Sequence, residues 1–159
     1  MIDSHAHIHR EEFDADREAV LARAAAAGVR VIVEAATDAA SARRVLQLAR
    51  SHPGLLRAAV GFHPCDVRAE REAEMEELEA LAREPEVVAI GETGLDAHWE
   101  ENAPLGIQER FLRRHIALAK AVGKPLVLHH RKAGERALLE RGGAAHPDPE
   151  AHSYYPAGQ

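Results

Sequence analysis

Apolar and polar positions along this chain change period again and again, between the two-residue alternation of strands and the three-to-four-residue stripe of helices. The opening "MIDSHAHIH", residues 1–9, alternates as a strand. In "DADREAVLARAAAAG" (14–28) Val20, Leu21 and Ala24 form a helical stripe, with Asp14 as a cap and Gly28 as a terminator. A β-branched run, "VRVIVEAAT" (29–37), follows, and Asp38 then caps "AASARRVLQLARSHPG", where Val45, Leu48 and Ala49 repeat at helical spacing before Pro53 and Gly54 end it. "LLRAAVGFHP" is a third strand. "REAEMEELEALAREP" places Met75, Leu78 and Ala82 on one helical face and its glutamates on a solvated one. "VVAIGETGLD" is a fourth strand, and "IQERFLRRHIALAKAVG" turns Phe111, Leu112, Ile116, Ala119 and Val122 inward before Gly123 closes the helix. "KPLVLHHR" is a fifth strand, and "KAGERALLERGG" a shorter helix.

Five alternations of strand and helix, with strands apolar enough for burial on both faces, predict an α/β fold built on a parallel sheet with crossover helices. Strand starts recur roughly every 26 to 38 residues, near the ~30 of a βαβ unit. From Gly142 the pattern is lost in "GGAAHPDPEAHSYYPAGQ". The predicted organisation is therefore one βα domain over 1–141 and an irregular tail over 142–159.

Composition narrows the function. With 159 residues, 46% of them hydrophobic, the chain has the material for one buried core. Its 20 basic against 26 acidic residues give a net charge of −6, which argues against passive binding of nucleic acid through a broad basic face. A transient substrate contacted through bound cations stays compatible with that charge. Cys65 is the single cysteine, so neither an intrachain disulfide nor a cysteine zinc cage is available. The first residues lack the basic and apolar regions of a secretory signal, and no run of 18 apolar residues occurs; a cytoplasmic protein without a membrane partner is expected.

Eleven histidines in a chain of this length produce about 0.7 His-x-His pairs by chance, so the opening pair needs partners before it means anything. The partners fall at corresponding places. Asp3, His5 and His7 lie on the first strand; Gly61 to Pro64, with His63, close the third; Gly91 and Glu92 close the fourth; His129, His130 and Arg131 close the fifth. The carboxyl ends of parallel strands share one rim, where barrel enzymes keep their chemistry. Nitrogen from His5, His7 and His129 with oxygen from Glu92 suits zinc, manganese or a similar divalent ion. A lone acid in an otherwise buried strand is costly unless paired, so Glu92 is either a ligand or half of a structural ion pair, Arg131 being one partner within reach. His63 reads equally as a loop histidine or as a ligand or substrate contact. His52, His98, His115 and His146 read as ordinary surface or packing residues.

The segments "IDSHAHIH", "VGFHP", "VAIGETGLD", the glutamine of "GIQERF" and "LVLHHR" follow the order and spacing of the TatD-type metal-dependent hydrolases, deoxyribonuclease-like members of the amidohydrolase superfamily. The chain resembles that family over residues 1 to about 135. The resemblance implies a TIM-barrel scaffold and a binuclear site for two divalent ions (zinc, manganese or magnesium): His5 and His7 on the first, Glu92 bridging and catalytic, and His129 on the second. His63 and Arg131 would line the substrate site, DNA would be the transient substrate, and Asp96 matches the aspartate of the "GLD" segment without an assigned role. "AHSYYP" resembles a further histidine segment, which makes His152 a candidate ligand of the second ion.

His9 stands where the family commonly has an acid, and nothing here matches the family's later aspartate. A full eight-unit barrel needs about 250 residues, so the sequence reads as a partial barrel: a truncated product, a fragment, or a half that completes itself by association across its open edge. Metal-dependent phosphodiester hydrolysis is the leading expectation. The alternatives are hydrolysis of C–N bonds, where related sites often use a modified lysine in place of Glu92, and an inactive metal-binding or interaction fragment.

Overall fold

The computed structural model describes residues 1–133 and 153–155. Five parallel strands run in sequence order across one sheet: β1 (Ile2–Ala6), β2 (Val31–Ala35), β3 (Leu56–Val60), β4 (Val87–Asp96) and β5 (Leu126–Arg131). They curl into a half-barrel, a partial TIM-barrel-like α/β fold. A short β6 (Ser153–Tyr155), inside the segment whose sequence carries no strand pattern, pairs antiparallel with β5. The crossovers are α1 (Arg17–Ala26), α2 (Ala39–Ser51), α3 (Glu74–Leu81) and α4 (Leu105–Val122). The helix expected after β5, and His146 and His152, lie outside the described residues. Among the described residues no helix is long and apolar enough to cross a membrane.

Period-two alternation sorts each strand between two apolar layers. Ala58 and Val60 of β3 and Leu126 and Leu128 of β5 point toward the helices, where they join Val45, Leu46, Met75, Leu78, Phe111 and Leu112 in the main core. Ala59, Ala89 and Val127 face the other way, with Val33 and Ala35, and line the concave side with small side chains. His129 follows Val127 by two positions and so emerges on the concave side.

Several local expectations need correction. The cap of α1 is Asp16, without a side-chain bond, because Asp14 is engaged by the Arg17 guanidinium at 2.5 Å. In α2, Leu46 is buried and Leu48 only half so; the buried stripe runs through Ala39, Ala42, Val45, Leu46 and Ala49. Asp38 does cap α2, in a reciprocal capping box with Ser41, and Gly123 closes α4 in the left-handed conformation. His115 is a packing residue of an unforeseen kind. It is fully buried in α4, accepts the Phe62 N–H on Nε2 at 2.9 Å and donates from Nδ1 to the Phe111 carbonyl at 2.6 Å. Burial pushes its pKa down to about 4, so the ring bridges α4 and the end of β3 as a neutral group.

Two strand ends shape the site. β1 stops at Ala6, short of the predicted Ile8 and His9, because the buried Glu34 of β2 takes the main-chain N–H groups of Ile8 and His9 at 2.8 and 2.9 Å. That acceptor draws the chain into a turn directly after His7. β4 continues four residues beyond Glu92, pairing Gly94 with His129 and Asp96 with Arg131, so Glu92 lies inside the strand. Gly91 and Gly94 permit this close approach: both have positive φ, and a Cβ there would lie 2.3 Å from the Val127 carbonyl oxygen and 1.8 Å from that of His129.

Candidate metal centre

At the carboxyl-end rim, Glu92 is 1% exposed and its two oxygens face different histidine pairs. Oε2 lies 3.1 Å from His5 Nε2 and 3.5 Å from His7 Nε2. Oε1 lies 3.2 Å from His129 Nδ1 and 3.8 Å from His63 Nε2. Within each pair the nitrogens approach closely, 3.1 Å between His5 and His7 and 3.1 Å between His63 and His129. Two groups of potential ligands thus meet at one carboxylate: His5, His7 and Glu92, and His63, Glu92 and His129.

Tautomer logic shows what these atoms offer. His7 Nδ1 lies 2.8 Å from the Ala35 carbonyl, which only accepts, so Nδ1 carries the hydrogen. In the neutral ring Nε2 then presents a lone pair toward a carboxylate oxygen and a second imidazole nitrogen. A cation between them resolves that arrangement. His129 lies between two carboxylates, Nε2 2.9 Å from Asp96 Oδ2 and Nδ1 3.2 Å from Glu92 Oε1, and His63 decides between them. The His63 Nδ1 accepts the Cys65 main-chain N–H, so its Nε2–H donates to His129 Nδ1 at 3.1 Å and the His129 hydrogen lies on Nε2, toward Asp96. Two ligands held ~2.0–2.1 Å from one tetrahedral ion sit about 3.3 Å apart, close to the observed nitrogen spacings. The donor set therefore fits divalent cations.

Electrostatics differ between the groups. Burial works to lower the His7 pKa, but the Glu92 carboxylate outweighs it and the net shift is upward. Burial drives the His63 pKa down to about 4, which keeps the ring neutral at neutral pH, and because its Nδ1 accepts the Cys65 main-chain N–H at 3.2 Å its hydrogen sits on Nε2, toward the cluster. Cys65, pushed up to about 11 chiefly by burial and then by Asp96, stays a thiol and directs its S–H to Asp96 Oδ2 at 3.7 Å.

The structure brings together five residues singled out from the sequence, His5, His7, His63, Glu92 and His129. Arg131, half-buried, ends β5 beside them in register with Asp96. His9 turns away into a buried pair with Glu34, Nδ1 to Oε2 at 2.9 Å. Sequence reasoning missed Glu34, although an acid inside "VIVEA" carries the same signal of a buried carboxylate that singled out Glu92.

Parallel strands that deliver histidines and a shared carboxylate to one rim define the class: a barrel-type α/β protein with a candidate metal centre. A family model described as TatD related DNase matches residues 2–154, and the chain belongs to that family. It is 38% identical over 135 residues to the uncharacterized metal-dependent hydrolase YabD of Bacillus subtilis, a match covering 85% of this chain and 52% of the relative. It is 35% identical over 136 residues to the 3'-5' ssDNA/RNA exonuclease TatD of Edwardsiella piscicida, covering 86% and 52%. The crystal structure of YjjV, a TatD homolog from Escherichia coli K12, matches with a TM-score of 0.76 at 36% identity, over 87% of this chain and 54% of that one. The chain spans about half the length of the curated relatives it matches.

Proposed function

We propose that this chain carries the metal-binding part of a hydrolase that cleaves phosphodiester bonds in single-stranded nucleic acid with two divalent ions. One observation carries the reading: the two oxygens of the buried Glu92 face two separate histidine pairs. In this reading His5 and His7 hold one ion, His129 holds the other, and Glu92 joins them. Bound ions of this kind neutralise a phosphate and lower the pKa of a coordinated water. His63, with its hydrogen on Nε2, keeps the substrate contact expected of it.

The chain's own groups supply the rest. Glu92 lies among four imidazoles, and the Arg131 guanidinium at the rim suits a phosphate oxygen. Trp99, 47% exposed on the loop after β4, offers a stacking face for a base. Relatives named as ssDNA/RNA exonucleases favour the phosphodiester over a C–N bond. The net charge of −6 fits a substrate met through cations. His152 remains a proposed ligand outside the described residues, and the open sheet edge a proposed surface for self-association, which light scattering tests.

The decisive experiment compares metal-dependent degradation of single-stranded DNA by the wild-type chain and by Glu92→Ala and His5→Ala. Both substitutions are expected to abolish it; equal activity in all three proteins overturns the assignment. Turnover of amides alone would transfer the same site to C–N chemistry.

A further inference from the structure

Asp96, the aspartate of the "GLD" segment, belongs to neither ligand group, yet it is 1% exposed and reaches into the second. Its carboxylate is divided between two tasks. Oδ1 accepts the His98 main-chain N–H at 2.8 Å and the Asn102 side-chain amide at 3.1 Å. Oδ2 accepts His129 Nε2–H at 2.9 Å and the weak Cys65 thiol donor at 3.7 Å. Its main chain is clamped as well, since Gln108 accepts the Asp96 N–H at 2.8 Å and donates to the Asp96 carbonyl at 3.0 Å. Donors therefore meet the Asp96 carboxylate at both oxygens, and Oδ2 faces His129 Nε2.

We infer that Asp96 is the positioning residue of the second cluster: it holds His129 in the Nε2–H tautomer, so that Nδ1 alone is offered toward Glu92 and His63. This inference rests on the metal-centre reading for its consequence, but its first effect is on the metal-free protein. A carboxylate behind a ligating histidine fixes the ring orientation and raises the basicity of the other nitrogen. His7 has only the neutral Ala35 carbonyl in that place.

Asp96→Asn makes the test sharp. Its two donors at the Oδ1 position require the oxygen of the new amide there, which directs the amide NH2 at His129 Nε2. That ring nitrogen must then accept, and the hydrogen moves to Nδ1, where it blocks the lone pair. Nitrogen-15 chemical shifts of the His129 ring in the metal-free full chain read this directly. Wild type is expected to show a protonated Nε2, and Asp96→Asn a protonated Nδ1. Zinc titration of the same proteins should show the weaker or lost affinity confined to one class of site, by about 10–100-fold. Asn102→Ala loosens the same loop without touching the imidazole and should leave the tautomer as in wild type. An unchanged His129 tautomer in Asp96→Asn overturns the inference, as does a tautomer equally disturbed by Asn102→Ala. Should no variant bind zinc at this cluster, the metal reading fails while the tautomer result still decides the role of Asp96.

Discussion

The two halves of the candidate centre share Glu92 and hold their histidines by different means. In the first, His5 and His7 stand on and just after β1, partly open to solvent, and His7 is oriented by a neutral carbonyl. In the second, His63 and His129 are more enclosed, and His129 is oriented by the buried Asp96 carboxylate. A full charge behind an imidazole strengthens its donor nitrogen more than a peptide dipole does. The difference teaches that a symmetric ligand list can hide an asymmetric pair of sites: the second should bind its ion more tightly and release it more slowly.

The largest disturbance is expected from Gly94→Ala. A methyl group there would fall on the His129 carbonyl, at a positive φ that side chains avoid. The β4–β5 pairing should loosen by about 3 kcal/mol or more, seen as a lower urea midpoint, and the second cluster should be lost before the first. Glu92→Gln comes next. It removes the charge both clusters share, so zinc titration should show both classes of site weakened, each by at least about 10-fold; loss at one class alone would mean that the carboxylate does not bridge.

Single-ligand changes then separate the halves. His7→Ala should weaken only the weaker class of site and His129→Ala only the tighter one; the opposite pairing would invert the ranking drawn above.

His115 provides a reference outside both clusters. Its folded pKa of about 4 lies below its ordinary value of 6.5, so its contribution to stability is complete above pH 6.5 and disappears as pH falls toward 4. The loss is worth up to about 3 kcal/mol. Denaturant midpoints over that window should fall in the wild-type chain, and less steeply in His115→Gln. With that background subtracted, the smallest effect becomes readable. His7 is raised and His63 lowered, so protons should displace an ion from the first cluster at a higher pH than that at which His63 gains a charge beside the second. Zinc affinities measured between pH 5 and 8 check this; identical proton dependence at both sites would remove the electrostatic half of the comparison.

Much of this arrangement was legible in the sequence because it rests on local rules. Five strands, four of the helices, the Asp38 cap and the Gly123 stop follow from periodicity and capping chemistry, and β4 falls on its predicted residues. The clustering of His5, His7, Glu92 and His129 was legible because polar residues seldom enter buried strands without cause. What stayed hidden depends on partners distant in sequence. Nothing local reveals that Glu34 captures the chain at Ile8 and His9 and ends β1 early, or that His115 reaches the Phe62 N–H 53 positions away. Asp96 likewise acquires a role only when β5 brings His129 beside it, 33 positions on.

The strand order β1 to β5 follows the sequence without a break, and every neighbour pair among them is parallel. Each unit can therefore settle on the one made before it, as in a repeat array, and growth from the amino terminus meets no topological obstacle. The candidate metal ligands do not accumulate in the same gradual way. His5 waits for Glu92, 87 positions later in the chain, and His129 follows after a further crossover. During synthesis His5, His7 and His63 have no shared carboxylate until β4 docks, so ion capture would report the late joining of β4 and β5.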